Sequence, residues 1–142
     1  MIIPDINLLV YATDTLNRHR PAAERWIEDV LSGPETVGFP WHSLLGFVRL
    51  STNPRAFEVP LSIDTSLGIV DEWLAQPNTT IVHPTHRHSA VLRDLLALVG
   101  VGGDLVPDAH LAALAIEHGA TLHSADSDFA RFPGVRWYNP LV

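Results

Sequence analysis

The sequence predicts an α/β protein in which a parallel β-sheet is flanked by helices on both faces. Short β-prone segments alternate with longer segments whose apolar residues recur at helical spacing. The β-prone segments are mostly apolar and do not alternate polar with apolar residues, as expected of strands buried on both faces. The length of 142 residues, without repeats or linker-like stretches, predicts a single domain over residues 1–142.

The N-terminal part predicts a buried strand followed by two helices. An apolar run opens the chain and ends near Asp5, although Pro4 is unusual inside a strand. Asn7 is the expected N-cap of the first helix, because its side chain can accept a hydrogen bond from the first turn. Apolar residues at three- and four-residue spacing predict a second helix over His19–Leu31, which ends before Gly33-Pro34.

The central part predicts two strands and two helices. Apolar spacing and capping side chains define the helices, and β-branched residues define the later strand. These elements are a strand around Thr36–Gly38, a helix over about Trp41–Leu50, a helix capped by Ser62 or Asp64 that ends at Leu74, and a strand over Thr79–Val82.

The C-terminal part predicts two helices and two short strands. The glycine-rich run from Gly100 to Gly103 breaks the helical pattern, and we expect a loop there rather than a phosphate-binding turn because no strand precedes it. The elements are helices over about His86–Val99 and Val106–Glu117, and strands over Thr121–His123 and Val135–Tyr138.

The composition excludes several kinds of chemistry. The chain contains no cysteine and no lysine, and its nine basic residues are all arginine. Disulfides, thiolate nucleophiles, zinc ribbons and lysine Schiff bases are therefore excluded. No apolar run approaches the roughly 20 residues of a membrane-spanning helix, and the N-terminus lacks the features of a signal peptide. We therefore expect a cytoplasmic protein without a membrane anchor.

The charge balance limits the partners of the protein. Its 9 basic and 16 acidic residues give a formal net charge of −7 at pH 7. A nucleic acid would be bound against an unfavourable overall field. Either a metal ion offsets part of the negative charge, or the partner is not an anion.

Acidic residues follow the ends of predicted strands and begin the last helix. Asp5 follows the first strand, and Asp126 follows the strand over Thr121–His123. Asp108 lies in the first turn of the last helix. Functional side chains of open parallel sheets gather beyond the carboxyl ends of the strands, so we expect these carboxylates to converge. Two further acids lie near them in the sequence, Asp104 and Asp128.

Such a group of carboxylates favours metal-assisted chemistry. Clustered carboxylates repel one another unless a divalent cation neutralises them. Oxygen ligands without sulfur suit Mg²⁺, with Mn²⁺ as the alternative, and the natural reaction is phosphodiester hydrolysis. The structural alternative is that Asp108 complements the positive end of the helix dipole and that Asp104 caps the same helix.

Histidines and tryptophans have structural interpretations. No two of the eight histidines have metal-ligand spacing on a helix face, so we expect most of them at the surface. The four tryptophans are expected in the core or at a subunit interface, with base stacking as the alternative, and they are Trp26, Trp41, Trp73 and Trp137.

With these residues in place, the chain resembles the PIN-domain ribonucleases, and specifically the VapC toxins of bacterial toxin–antitoxin pairs. The resemblance extends over essentially the whole chain. Four segments in order carry it: Ile3–Ala12, Leu45–Phe57, Asp108–Ala115 and His123–Phe132.

The resemblance implies a Mg²⁺-dependent endoribonuclease that acts on structured RNA such as transfer RNA, forms a homodimer and is inhibited by a VapB-type antitoxin. Asp5 and Asp108 would be the principal metal ligands. Asp126 would complete the catalytic site, directly or through water, and Ser124 would orient it. The auxiliary carboxylates would be Asp104 and Asp128.

One position departs from the family pattern. Many PIN domains carry a glutamate on the helix after the second strand, where this chain has Gly46. The site would then hold a single ion or recruit Asp104. Arg49, three residues later, would contact substrate phosphate, pair with a site carboxylate or form an ordinary surface ion pair. The alternative function is a catalytically weak PIN-like module that binds RNA or a protein.

Overall fold

The computed structural model describes residues 1–100 and 102–142. Strands and helices alternate along this part of the chain, as predicted. The strands are β1 (Ile2–Pro4), β2 (Val37–Pro40), β3 (Thr79–Val82), β4 (Thr121–His123) and β5 (Arg136–Tyr138). The α-helices are α1 (Ile6–Thr13), α2 (Arg20–Ser32), α3 (Trp41–Ser51), α4 (Ile63–Leu74), α5 (His88–Val99) and α6 (Val106–Glu117). Short 3₁₀ turns lie at Gly103–Leu105 and Ser127–Arg131.

The five strands form one parallel sheet in the order β3-β2-β1-β4-β5. The chain runs outward from β1 to β3 and then returns to place β4 on the other side of β1, so the topological switch point lies between β1 and β4. Pro4 pairs with His123 at the ends of these two strands, and the next residue continues the ladder, with the Asp5 N–H donating to the His123 carbonyl at 2.9 Å. Ligands of open α/β sheets bind at such a switch point.

The first helix begins two residues earlier than predicted. Asp5 is the N-cap of α1, and its Oδ1 accepts a hydrogen bond from the Ile6 N–H at 2.7 Å. The prediction that Asn7 caps this helix is wrong. Asn7 lies inside the first turn, which leaves its side chain free to reach across to the segment after β4.

Other boundaries shift by one or two residues. β2 continues to Pro40, and α5 begins at His88 rather than His86. Ser62 rather than Asp64 caps α4, through a hydrogen bond from the Thr65 N–H to its Oγ. In the predicted glycine-rich loop, Val101 lies outside the described residues.

The core has one layer on each face of the sheet. Ile3, Leu111 and Leu122 belong to the layer beneath α5 and α6, and Phe39 and Phe47 belong to the layer beneath α1 to α4. Trp26 and Trp73 are also in the second layer, which confirms the core prediction for two of the four tryptophans. No helix among the described residues is long and apolar enough to cross a bilayer.

Candidate functional site

The predicted convergence of carboxylates occurs at the carboxyl edge of the sheet. Asp5 directly follows β1, Asp126 follows β4, and Asp108 lies in the first turn of α6. Asp108, Asp126 and Asp128 each place one carboxylate oxygen within 4.8 Å of the others. This spacing is short enough for a single cation to contact all three side chains.

Asp5 is the buried acid of the site, with 7 % of its surface exposed. While its Oδ1 caps α1, its Oδ2 accepts a hydrogen bond from the Ser124 hydroxyl at 2.7 Å. Burial raises the pKa of Asp5, and the negative charge of Asp126 raises it further, whereas the two hydrogen bonds lower it. Asp5 is thus fixed in position and electrostatically coupled to Asp126.

Ser124 connects the two strand ends of the site. Its fully buried hydroxyl accepts hydrogen bonds from Asn7 Nδ2 at 3.2 Å and from the Asp126 N–H at 3.0 Å, in addition to the bond it donates to Asp5. The resemblance implies that Ser124 orients Asp126, and its contact with that residue is to the backbone N–H. The carboxylate that it holds directly belongs to Asp5.

The segment after β4 is shaped by two further contacts. Asn7 Oδ1 accepts a hydrogen bond from the Ala125 N–H at 3.3 Å, and Asn7 Nδ2 donates one to Ser124. Both polar atoms of the Asn7 amide therefore bind this segment. Asp126 Oδ1 accepts from the Asp128 N–H at 2.9 Å and caps the 3₁₀ turn that follows. These bonds bring Asp126 and Asp128 to face α6.

The pKa of Asp108 is raised by its burial and by the neighbouring acids. Burial raises its pKa to about 6, with contributions from the charges of Asp126, Asp5 and Asp128. A carboxylate surrounded by three others is costly to ionise, and a bound cation removes that cost. The all-oxygen donor set fits a hard divalent ion such as Mg²⁺ or Mn²⁺.

Two of the predicted auxiliary residues lie apart from this group. Asp104 is exposed in the 3₁₀ turn before α6 and is not among the three carboxylates that lie within 4.8 Å of one another. Arg49 is exposed on α3 and forms no ion pair within 4.0 Å with any described residue. Its predicted pairing with a site carboxylate is therefore absent, and its guanidinium remains available to solvent.

Gly46 lies on α3 beneath the start of α1. A β-carbon at this position would lie 2.3 Å from Ile6 Cδ1 and 2.6 Å from Ile6 Cγ1, well inside contact distance. The glutamate that the family resemblance implies at this position would not fit here, because Ile6 occupies the space into which any side chain at position 46 would extend.

Histidines contribute more to this region than the sequence indicated. Among the described residues, His83 and His86 are exposed, five histidines are half-buried and His123 is buried, so the surface prediction holds fully for two of the eight. His42 follows β2 at the edge that carries the acids and is electrostatically coupled to Asp5. Burial lowers the pKa of His42, and the charge of Arg49 lowers it as well, whereas Asp5 raises it. Its position two residues after a strand end was a signal that could have identified it.

A chain of polar side chains links α5 to α6 beside the site. The buried carboxylate of Glu117 contacts His88 Nδ1 at 2.5 Å and accepts from the Thr85 N–H and hydroxyl at 2.9 and 2.6 Å. The other nitrogen of His88 lies 2.9 Å from His110 Nδ1, and the His110 ring packs edge-on against His42 with a centroid distance of 5.4 Å. This chain fixes the loop before α5 against the helix that carries Asp108.

Comparison with known proteins places this architecture in a family. The PIN domain family matches residues 2–135 of the chain. Ribonuclease VapC37 of Mycobacterium tuberculosis is 49 % identical over 140 residues, which cover 99 % of this chain and 97 % of that protein. Ribonuclease VapC33 of the same organism is 40 % identical over 141 residues, which cover 99 % of this chain and 99 % of that protein.

Solved structures share the fold at lower identity. VapBC2 from Rickettsia felis, bound to a DNA fragment from its promoter, gives a TM-score of 0.69 at 21 % identity, with 98 % of each chain covered. VapC20 of M. tuberculosis, a Sarcin-Ricin loop cleaving toxin, gives a TM-score of 0.68 at 18 % identity, with 96 % of this chain and 99 % of that chain covered. With a family match over nearly its whole length and full-length relatives of this similarity, the chain belongs to the PIN domain family and, within it, to the VapC ribonucleases.

Proposed function

We propose that this chain is the toxin of a type II toxin–antitoxin system and that it cleaves RNA as a metal-dependent endoribonuclease. The observation that carries the proposal is the group of three carboxylates within 4.8 Å, next to the buried Asp5 at the switch point of the sheet. The fold brings these three carboxylates and Asp5 together from three separate segments of the chain. Such a group suits hydrolysis of a phosphodiester, whose transition state gains negative charge.

The donor set fits Mg²⁺, with Mn²⁺ as the alternative, and Asp5, Asp108 and Asp126 are the proposed catalytic residues. Asp108, Asp126 and Asp128 would hold the ion, with Asp5 beside them as a further ligand. When bound, the ion lowers the pKa of a water and stabilises charge on the scissile phosphate. Ser124 keeps the Asp5 carboxylate in one orientation. Its hydrogen bond with the Asp126 N–H fixes the position of Asp126 relative to Asp5.

Structured RNA, including transfer RNA, is the proposed substrate, in a cytoplasmic setting. The support is by analogy with VapC20, whose structure is described as that of a Sarcin-Ricin loop cleaving toxin. The exposed Arg49 lies on the helix that begins at the same edge of the sheet and is the proposed phosphate contact. Phosphate contacts of this kind weaken as salt rises.

A VapB-type antitoxin and a second copy of the chain are the proposed protein partners. Toxin–antitoxin complexes are among the structures that share this fold. Large apolar side chains remain exposed on α3 and α4, which supports a homodimer through these helices, and they are Trp41, Leu45, Ile63 and Leu67. Sedimentation velocity of the wild type and of Leu45→Glu tests this, and equal masses for both would contradict the interface.

The test of catalysis is RNA cleavage by the wild type and by Asp5→Asn and Asp108→Asn, each with Mg²⁺ and with EDTA. We expect cleavage only by the wild type with Mg²⁺, and growth arrest of host cells only on its expression. Asp64→Asn, an exposed acid at the start of α4, is the matched control and should cleave like the wild type. Equal cleavage by all variants, or cleavage that EDTA leaves unchanged, would reject the proposal.

The second candidate function is a PIN-like module that binds RNA or protein without turnover. It is favoured by Gly46, at the position where the family resemblance implies a glutamate, and by the net charge of −7. Purified protein would then bind RNA or an antitoxin equally well with and without Mg²⁺ and leave the RNA intact. Robust turnover that depends on Mg²⁺ would eliminate this candidate.

A further inference from the structure

A cavity of about 420 Å³ lies behind the carboxylate edge, between α2 and the part of the sheet formed by β1, β4 and β5. We propose that this cavity is an accessory subsite for one nucleobase of a bound RNA, which His123 recognises by donating a hydrogen bond from Nε2. The proposal deepens the proposed ribonuclease function and rests on it for the identity of the ligand. The cavity lining that carries it is formed by Arg25, Trp26, Asp29, His123 and Tyr138. Glu35 also lines the cavity, and its carboxylate pairs with the N-terminal amino group at 3.6 Å.

His123 presents a fixed donor to the cavity. The residue is 8 % exposed, and its Nδ1 lies 3.0 Å from Trp26 Nε1. An indole N–H can only donate, so Nδ1 of His123 is the acceptor and the ring proton is on Nε2. Among the described residues, Nε2 has no hydrogen-bond partner, although the ring lines the cavity. Nε2 is not among the buried polar atoms that lack a partner, so this N–H reaches the solvent of the cavity and is open to a ligand that supplies an acceptor.

Tyr138 gives the cavity an aromatic wall. Tyr138 is 52 % exposed, and its ring packs edge-on against the His123 ring with a centroid distance of 5.1 Å. The residue is therefore accessible to a ligand, next to the free donor. Base stacking on such a ring contributes about 1–3 kcal/mol per base in single-stranded RNA complexes.

Charged groups of both signs stand at α2. Arg25 and Asp29 are exposed, line the cavity and form no ion pair within 4.0 Å with any described residue. Asp29 can accept a hydrogen bond from an amino group, and Arg25 can contact a phosphate. A free phosphate would use Arg25 but would be repelled by Asp29 and would leave the Tyr138 ring uncovered.

A nucleobase with an exocyclic amino group matches the Tyr138 ring, the His123 donor and the Asp29 acceptor. This leaves Arg25 for a phosphate of the same nucleotide. Its ring stacks on Tyr138, a ring or carbonyl acceptor receives the His123 Nε2–H, and its amino group donates to Asp29. A lysine or arginine side chain of a protein partner would satisfy Asp29 but offers no acceptor to His123. Guanine, adenine and cytosine carry both an acceptor and an amino donor, whereas uracil has no amino group. We therefore expect uracil to bind least well.

The subsite is directly connected to the catalytic edge. His123 immediately precedes Ser124, and the Tyr138 carbonyl accepts a hydrogen bond from the Ser124 N–H at 3.0 Å. Neighbouring residues of a strand point to opposite sides, so that Ser124 holds Asp5 while His123 faces the cavity. The proposed subsite and the catalytic edge thus share one strand end, and base recognition in the cavity would give the enzyme a sequence preference.

The test uses metal-free full-length protein and follows the indole N–H resonance of Trp26 by NMR during titration with 5′-GMP, 5′-CMP, 5′-UMP and inorganic phosphate. We expect saturable shifts with GMP and CMP, weaker binding of UMP and no shift with phosphate. Tyr138→Ala should weaken GMP binding about tenfold or more, because the stacking surface is lost. Tyr138 is largely exposed, so this variant should fold, and His86→Gln, an exposed histidine that does not line the cavity, is the control.

Three results would overturn the subsite: no shift with any nucleotide, equal shifts with phosphate and nucleotides, or shifts that appear only on addition of an antitoxin. The last would assign the cavity to a protein contact. The subsite and the ribonuclease function fail separately. Asp5→Asn should keep GMP binding while losing RNA cleavage, whereas GMP binding by a wild type that does not cleave RNA would support the subsite and reject the ribonuclease.

Discussion

The Ile6 side chain fills the space above Gly46 and sets how closely α1 approaches α3. A β-carbon at position 46 would lie 2.3 Å from Ile6 Cδ1, and a second atom of the same side chain would be 2.6 Å away. Ile6 directly follows Asp5, so this packing also determines where the buried carboxylate lies relative to α3 and His42. The glycine is therefore a packing requirement at the edge of the catalytic site.

Gly46→Ala should lower the free energy of unfolding by about 1–3 kcal/mol, because the added methyl group overpacks this contact. Gly68→Ala on α4 is the matched control, since a β-carbon there would meet no atom within 4 Å. The control should be neutral or more stable by up to about 1 kcal/mol, the difference in helix propensity. Urea unfolding measures both changes. Adding Ile6→Ala to Gly46→Ala should recover part of the loss, and additive losses would contradict the proposed contact.

Ser124→Ala should weaken both stability and catalysis. The change leaves Asp5 Oδ2 without its buried donor and the Asp126 N–H without its acceptor, which should cost about 1–3 kcal/mol of unfolding free energy. RNA cleavage should fall as well, since Asp5 is no longer held in one orientation. Ser127→Ala, at an exposed position in the same segment, should change neither quantity. Cleavage by Ser124→Ala at the wild-type rate would show that the hydroxyl has no positioning role.

The stability of the metal-free protein should depend on pH through Asp108. Its pKa rises from 3.8 to about 6 on folding, so the folded state binds this proton more tightly than the unfolded state. The stabilisation from this proton is present below the unfolded pKa and is lost as pH rises to about 6. Asp108→Asn should remove this loss, and its advantage over the wild type should grow between these pH values. Thermal unfolding across pH measures it, and parallel curves for the two proteins would contradict the electrostatic coupling.

A divalent cation should reverse this loss in the wild type above pH 6. Mg²⁺ or Mn²⁺ should raise the melting temperature at pH 7.5 more than at pH 5, because protonated Asp108 is a poorer ligand. The same additions should leave the melting temperature of Asp108→Asn nearly unchanged. Equal metal-dependent shifts for both proteins would place the ion elsewhere.

Asp104 and Asp128 should differ in their contribution to metal binding. Asp128 lies within 4.8 Å of Asp108 and Asp126, whereas Asp104 is exposed and outside that group. Calorimetric titration with Mn²⁺ should show affinity reduced about tenfold or more for Asp128→Asn, the scale of losing one ligand contact. Asp104→Asn should bind like the wild type. A comparable loss for Asp104→Asn would restore the role that the sequence suggested for it.

Much of the fold and part of the site followed from local patterns. The alternation of strands and helices, the limits of β3, β4 and α6, and the positions of Asp5 and Asp126 after strand ends were all read from neighbouring residues. The N-cap of α1 is Asp5 rather than the predicted Asn7. Both residue types cap helices, and the position at which β1 ends decides between them. The contacts among His42, His88 and His110 were not predictable, because spacing along one helix does not report contacts between α3, α5 and α6.

The sequence by itself determined that acids would lie at one edge of a parallel sheet, since strand ends are local features and parallel strands end on the same side. Only the tertiary structure decided which acids meet. The packing of α6 against the segment after β4 selects Asp108, Asp126 and Asp128 and leaves Asp104 in solvent. His123, at the end of β4, lines the cavity under α2 instead. Distances between separate segments depend on side-chain packing in three dimensions, which no periodicity along the chain records.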